Sequence, residues 1–154
     1  MSALETDLNP NTYVGLSFPL RRDKFNDFAM TKNSLEQAKH NLKNLLLTSP
    51  GERAMQPEFG SNMRAICFEQ VDKNLPVTIE KEVRNAVEIW LPYINIQEVN
   101  TLTEEQDKNK IHVEILFSTT LSPQSKEAIT VEATTGAGGS TVVAGQYDVA
   151  TLGF

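Results

Sequence analysis

Cysteine is nearly absent from the chain. The one thiol, Cys67, rules out an intrachain disulfide framework and points to a reducing compartment. Its neighbours Ile66 and Phe68 are apolar, so it reads as a small buried hydrophobe rather than a stabilised thiolate. Histidine is almost as scarce. His40 and His112 share no ligand spacing with each other or with Cys67, which leaves no basis for a zinc site or a bound cofactor. There is no G-x-S-x-G nucleophile elbow. GAGGST near the end lacks the lysine, the preceding core strand and the following helix of a phosphate loop.

Long apolar runs are missing as well. None approaches the roughly 20 residues that span a bilayer. The opening MSALETD has neither a basic region nor an apolar core, so no secretory signal is expected. No membrane contact is expected except through partners. Positive charge is in deficit, with 14 Lys and Arg against 20 Asp and Glu and a net charge of -6. The one basic cluster, Arg21-Arg22 with Lys24, is diluted by Asp23 and Asp27. A nucleic-acid binder needs a basic stripe to displace counterions, so that class is excluded.

What is present suits one globular domain: 154 residues, 40% of them hydrophobic, are enough to bury a core without staples. Three segments are expected: a polar arm over 1–17, an α+β domain over 18–133 and a Gly-rich extension over 134–154. LSFPLRRD reads as extended, with Pro19 restricting it to an edge. Phe25, Phe28 and Met30 are expected to pin it to the body. NSLEQAKHNLKNLLLTS predicts a helix, with Ser34 as N-cap, Gln37 completing a capping box and a core stripe of Leu35, Ala38, Leu42, Leu45 and Leu46. Lys39, His40 and Lys43 fall off that stripe, toward water. Ser61 can cap a short helix through NMRAICFEQ. Thr78 can cap a longer one, TIEKEVRNAVEIWL, with Ile79, Val83, Ala86, Val87, Trp90 and Leu91 on its apolar side.

The period then falls to two. YINIQEVNTL and KIHVEILFSTTL read as strands joined by the charged turn EEQDKNK, and EAITVEA as a third. Ile111, Val113, Ile115 and Phe117 alternate with His112, Glu114, Leu116 and Ser118. The predicted fold is α+β: two to three helices on one face of a small antiparallel sheet, a three-strand meander with open edges that an N-terminal edge strand can join. TTGAGGS reads as a flexible linker. TVVAGQYDVATLGF after it reads either as an unstructured terminus or as a short strand or hook that orders on a neighbour.

One connector stands out. Up to residue 135 the only glycines are Gly15, Gly51 and Gly60, and two of these bracket the loop after the first helix. Pro50 and Pro57 fix φ inside the bracket, so the segment loses little entropy when held in one shape and suits a preorganised contact. Phe59 offers an aromatic anchor and Arg53 a planar fork for a carboxylate. Equally, the loop is a helix connector whose Phe59 fills the core; both roles are compatible. Glu52, Glu58 and Glu69 raise glycoside cleavage, which needs two carboxyl groups facing one another across a substrate. Pairing of Glu52 with Arg53 or Arg64, and of Glu58 with the positive end of the next helix, is the simpler account.

The run NSL…LLLTSPGERAMQPEFGS…CFEQ, followed by VRNAVEIWLPYI and IHVEILFS, resembles the baseplate-wedge family of contractile phage tails, which includes the phage W protein and the gene-25 wedge protein. The resemblance covers roughly residues 15–132. Its most specific element is T-x-x-G-x-R-x-x-x-P-E-F-G, met by Thr48, Gly51, Arg53, Pro57, Glu58, Phe59 and Gly60. It implies a non-enzymatic, structural role in the virion's tail baseplate, after assembly in the host cytoplasm, with no cofactor. The implied partners are larger baseplate wedge subunits, inner baseplate or tube proteins and the tail sheath protein, whose first ring such a chain nucleates. Related proteins serve type VI secretion and other contractile injection machines, and some carry a lysozyme label. Many members end the long helix with Glu-Pro-Arg at a contact with the wedge's helical bundle. Leu91-Pro92-Tyr93 keeps the proline without the charges, so the ion pair does not carry over and the implied contact is apolar or aromatic.

These features set an expected mechanism. The strands between Ile94 and Ala133 form a docking sheet whose free edge takes an arm of the sheath. Pro50, Gly51, Arg53, Pro57, Glu58, Phe59 and Gly60, with the Leu91–Tyr93 corner, face the wedge. Proline at His112 or Ile115 is expected to block sheath growth if that strand accepts the arm.

Overall fold

A computed structural model describes residues 7–9, 11–25, 27–68, 74–103, 110–134 and 141–145. The charged turn at 104–109, Glu69 and most of the Gly-rich extension lie outside them.

Helix α1 spans Ser34–Leu47 and buries Ala38, Leu42, Leu45 and Leu46, the stripe its spacing predicts. Its cap differs from expectation. Asn33 is extended (φ -127, ψ 154), and its side chain accepts from the Glu36 amide at 2.7 Å. The helix therefore starts one residue early for a Ser34–Gln37 box. Ser34 is instead tied to the N-terminal arm: its amide and hydroxyl donate to Asp7 Oδ1 at 2.9 and 2.8 Å.

Helix α2 is short, Met63–Phe68. Ser61 does not cap it but reaches back to α1. Helix α3 runs Leu75–Trp90, one turn earlier than a Thr78 cap implies, because Pro76 fits a first helical turn that needs no N–H. Thr78 lies inside, donating to the Asn74 carbonyl at 3.1 Å. Ile79, Val83, Ala86 and Val87 are buried.

The main sheet holds strands β3 (Ile94–Thr103), β4 (Lys110–Thr119), β5 (Lys126–Thr134) and β6 (Thr141–Gly145), all antiparallel in that order. The expected meander is present, and its period of two holds: Ile111, Val113, Ile115 and Phe117 point into the core beneath the helices with Ile129 and Val131 of β5. The fourth strand corrects the three-strand expectation. TVVAG pairs with Thr130–Thr134 of β5, the chain supplying from beyond its glycines a partner for that edge. The N-terminal segment does not join this sheet. Gly15–Leu16 (β1) pairs with Met30–Thr31 (β2) in a separate two-strand ladder.

This second layer explains two further corrections. Lys39, His40 and Lys43 are buried, not turned to water, because the segment between β1 and β2 and strand β5 cover the other side of α1. His40 Nδ1 lies 3.0 Å from the Phe18 amide nitrogen and 2.8 Å from its carbonyl oxygen, and Lys39 Nζ is 3.0 Å from Glu127 Oε2. Conversely Phe25 is 84% exposed, and Phe28 and Met30 also face solvent. Polar bonds close that hairpin instead: the Asp23 amide donates to the Asp27 carbonyl at 2.8 Å, and Asp23 Oδ1 accepts from the Phe25 amide at 2.7 Å.

Cys67 is buried, as expected, and burial pushes its pKa up to about 11. The thiolate fraction near neutral pH is then about a hundredfold below that of an ordinary thiol. Ellman's reagent should leave Cys67 intact in the folded chain and modify it fully in denaturant. The sign of the shift also predicts stability that is full below the unfolded thiol's pKa and falls as pH rises toward 11. Cys67→Val should flatten that alkaline loss in a melting series.

Candidate functional site

The loop between α1 and α2 is closed by backbone. Thr48 ends α1 in an extended conformation, and its carbonyl accepts from the Ser61 amide at 2.9 Å. The Ser61 hydroxyl donates to the Leu46 carbonyl at 3.3 Å. Inside this ring the Gly51 amide donates to the Pro57 carbonyl at 2.7 Å. Gly51 has φ +93 and open space around a notional β-carbon. Gly60 has φ +131, and a β-carbon there would sit 2.4 Å from the Thr48 oxygen. Both glycines are required for conformation, and Gly60 also for close approach.

The closed loop delivers Phe59 to the core's edge. Its ring meets Trp90 edge-on, with centroids 5.2 Å apart and planes at 62°. Arg53 covers the other side, its Cζ 3.7 Å from the Phe59 centroid. The guanidinium thus stacks rather than forking onto Glu52, and no carboxylate among the described residues is recorded against it. Stacking occupies its flat face and leaves its N–H rim for a further acceptor. Pro57, Glu58 and Met55 are exposed, Met55 by 97%.

Glu52 is engaged locally: one oxygen accepts from the Ser49 amide at 3.0 Å, and the other is 3.7 Å from Arg64. The expected pairing with Arg64 is therefore present, between two half-exposed side chains. Glu58 stands exposed on the loop surface.

The corner after α3 divides its residues between roles. Leu91 is core, and its amide continues the helix to Val87 at 2.8 Å. Tyr93 accepts from Asn41 of α1 at 2.8 Å through its hydroxyl, and its carbonyl takes the Thr120 amide at 3.0 Å. Pro92 is exposed. The side chain that joins corner to loop is Trp90, which the periodicity had assigned only to the core stripe. Its place at the end of that stripe, one residue before the corner, was the available signal.

The sheet's two borders are unlike. On the β5 side, β6 covers Thr130–Thr134. Strand β3 has β4 on one side and, among the described residues, no backbone partner on the other. A register shift between Ile96 and Glu98 bulges it, and Arg84 of α3 donates to the Ile96 carbonyl at 3.1 Å. Beyond that point the outer side of β3 has no backbone partner among the described residues.

Residues 33–124 match the family described as baseplate wedge protein gp25, which covers this loop, the corner and the β3–β4 pair. The chain belongs to that family. It is 31% identical over 98 residues to the baseplate wedge protein gp25 of Enterobacteria phage T4, a stretch spanning 64% of this chain and 74% of that protein. Its fold is similar to that of a putative tail lysozyme from Geobacter sulfurreducens (TM-score 0.59, 21% identity, 68% of this chain and 93% of the other). It is also similar to a chain of the anti-feeding prophage baseplate (TM-score 0.61, 22% identity, 68% and 82%). The wedge-family pattern thus acquires a physical reading here. Thr48 supplies the closing carbonyl, Gly51 and Gly60 the conformations, Pro57 the carbonyl for the Gly51 amide, and Arg53 and Phe59 the stack on Trp90.

The two glycines should respond differently to a methyl group. Gly51→Ala should cost about 1 kcal/mol, for φ alone. Gly60→Ala adds contact with a backbone oxygen and should cost about 2–4 kcal/mol. Urea unfolding of both variants measures the difference, and equal losses would contradict the close approach at Thr48.

Proposed function

We propose that this wedge-family chain joins the inner baseplate of a contractile tail to the first sheath ring and starts sheath assembly by lending the outer edge of β3 to an extended sheath arm. The observation that carries this reading is the asymmetry of the sheet. Among the described residues, β6 covers Thr130–Thr134 of β5 and becomes a short border of five residues, while the longer β3 has no backbone partner on its outer side beyond the Ile96 bulge. An unpaired ladder gives an incoming strand its affinity through main-chain hydrogen bonds, while alternate side chains fix its register. The N–H rim of Arg53, with Met55, Pro57 and Glu58, forms the face toward the larger wedge subunits, and Pro92 extends it at the corner. Assembly in the host cytoplasm precedes incorporation into the virion.

In this reading the chain is not an enzyme. Glu52 holds the Ser49 amide and faces Arg64, so it is committed to shaping the loop. Clearing of peptidoglycan suspensions by the wild-type chain, lost in Glu58→Gln, would overturn the structural role.

The edge can be tested directly. Strand β4 is central, so proline at His112 or Ile115 would break a ladder on one side or the other and test only folding. The informative positions are Glu98, Val99, Asn100 and Thr101 of β3, where alternate amides face β4 or solvent. Prolines facing β4 should unfold the chain. Those facing solvent should keep the circular dichroism spectrum and melting temperature yet abolish co-purification with sheath protein. Folded proline variants that still support sheath growth, seen by electron microscopy, would remove β3 as the acceptor.

A separate test addresses the loop. Met55 is exposed and Arg53 half-buried against Phe59, so Arg53→Ala also loses that stack. With circular dichroism showing both variants folded, Arg53→Ala and Met55→Asp should lower capture by wedge subunits at least about tenfold, the scale of a lost interface anchor. Undiminished entry of the double variant into baseplates would exclude the loop as a wedge contact.

A further inference from the structure

Away from the loop and the sheet edge lies a cleft of about 350 Å³. It lies between α1, strand β5 and the segment joining β1 to β2. Arg21, Lys39, His40 and Lys43 line it together with the carboxylates of Glu36 and Glu127. One of these charges is matched: Lys39 reaches Glu127. Lys43 is not. It is only 5% exposed, and no hydrogen bond or ion pair is recorded for it among the described residues. The charges acting on it are Lys39 and Arg21, both of its own sign, and with burial as the larger cause they hold its ammonium below the usual lysine range. Its stem is buried and it lines the cleft, so a cation held there beside like charges favours an anion in the cleft.

We propose that this cleft binds carboxylate side chains of an acidic peptide segment on a partner protein. Two observations select that ligand. Arg21 and Lys43 approach the cleft from different elements and leave a place for an oxygen acceptor between like charges. The hairpin that lends Arg21 also exposes Leu20, Phe25 and Phe28, an apolar margin of the kind peptide recognition uses and small anions do not. The site stands whether or not β3 takes a sheath strand, because it uses neither that edge nor the Arg53 loop.

The test uses the full chain, labelled with nitrogen-15, titrated with an acetylated and amidated tetraglutamate peptide. Tetraglutamine and inorganic phosphate serve as comparison arms. Tetraglutamate should move the amide resonances of Phe18 and of residues 39–43 saturably, and more salt should weaken it. Arg21→Gln, an exposed change, and Lys43→Met, which keeps the aliphatic stem, should each weaken binding about tenfold. Equal shifts with tetraglutamine would overturn the proposal. Binding of phosphate without tetraglutamate would overturn the carboxylate assignment. Unchanged affinity in both folded variants would overturn the location.

Discussion

The Thr48 carbonyl oxygen is the point on which the rest of this structure depends. It ends α1, receives the Ser61 amide that opens the approach to α2, and lies so close to Gly60 that no side chain fits there. A loop closed this tightly has few alternative shapes to lose. Phe59 follows from it: the residue beside Gly60 is carried onto Trp90, and Arg53 is then stacked over the same ring. Each ring contact contributes only roughly 0.5–1.5 kcal/mol. Together they couple the loop to the end of α3, whose next residues turn the chain into β3. The geometry of a surface loop and the start of the open sheet edge are thereby set by one packed unit.

The sheet has unlike borders: a short strand, β6, ends it on one side and the long β3 on the other. Pairing of β6 with β5 uses β-branched residues that follow a glycine-rich stretch, a self-supplied cover. On β3 the protection is partial: a bulge and one arginine at the Ile96 carbonyl, with no further backbone partner among the described residues. Bulges and inserted charges usually discourage pairing. Here they sit at one end and limit where a foreign strand can register. A border blocked at one end and free at the other suits addition in a single frame, which a sheath subunit would need in the proposed role.

Much of this was legible in the residues. The 3.6-residue stripe of α3 and the alternation of β4 both hold, because each element has one dominant apolar side against one core. The pattern around Gly51 and Gly60 was readable for a related reason: positive φ and close backbone approach leave few residue types. What failed were inferences that assumed a single buried side. Lys39, His40 and Lys43 looked solvent-facing because their side of α1 is polar. Residues 15–31 and β5 cover it with bonds to Phe18 and Glu127, a long-range arrangement that no local period encodes. Phe25 and Phe28 failed in the opposite sense. Their size suggested anchors, but Asp23 closes that turn and leaves the rings outside. The Ser34 cap failed by one position, since Asn33 and Ser34 are both good caps and Asp7, far off in sequence, claims Ser34.

These failures are informative because they coincide in space. The buried cations and the exposed aromatics belong to the same packed pair, α1 and its N-terminal cover. An isolated domain under selection for stability alone would tend to exchange them, placing the rings inside and the charges outside, since burying apolar area is favourable and burying an unmatched cation is not. Glu127 offsets part of that cost at Lys39 and Phe18 at His40, while no ion pair offsets it at Lys43 among the described residues. In the proposed role a member of an assembly would recover the rest on contact, when the rings are covered and Lys43 meets an acceptor. The same reasoning applies to the bare β3 edge, where unpaired amides await a strand. In the proposed roles each feature would meet a different kind of contact: main chain at β3, a stacked guanidinium rim at the loop, charge at the cleft. Contacts of unlike chemistry on one rigid body can engage different neighbours without competing for them, and that is the physical requirement on a part joining several proteins in a fixed order.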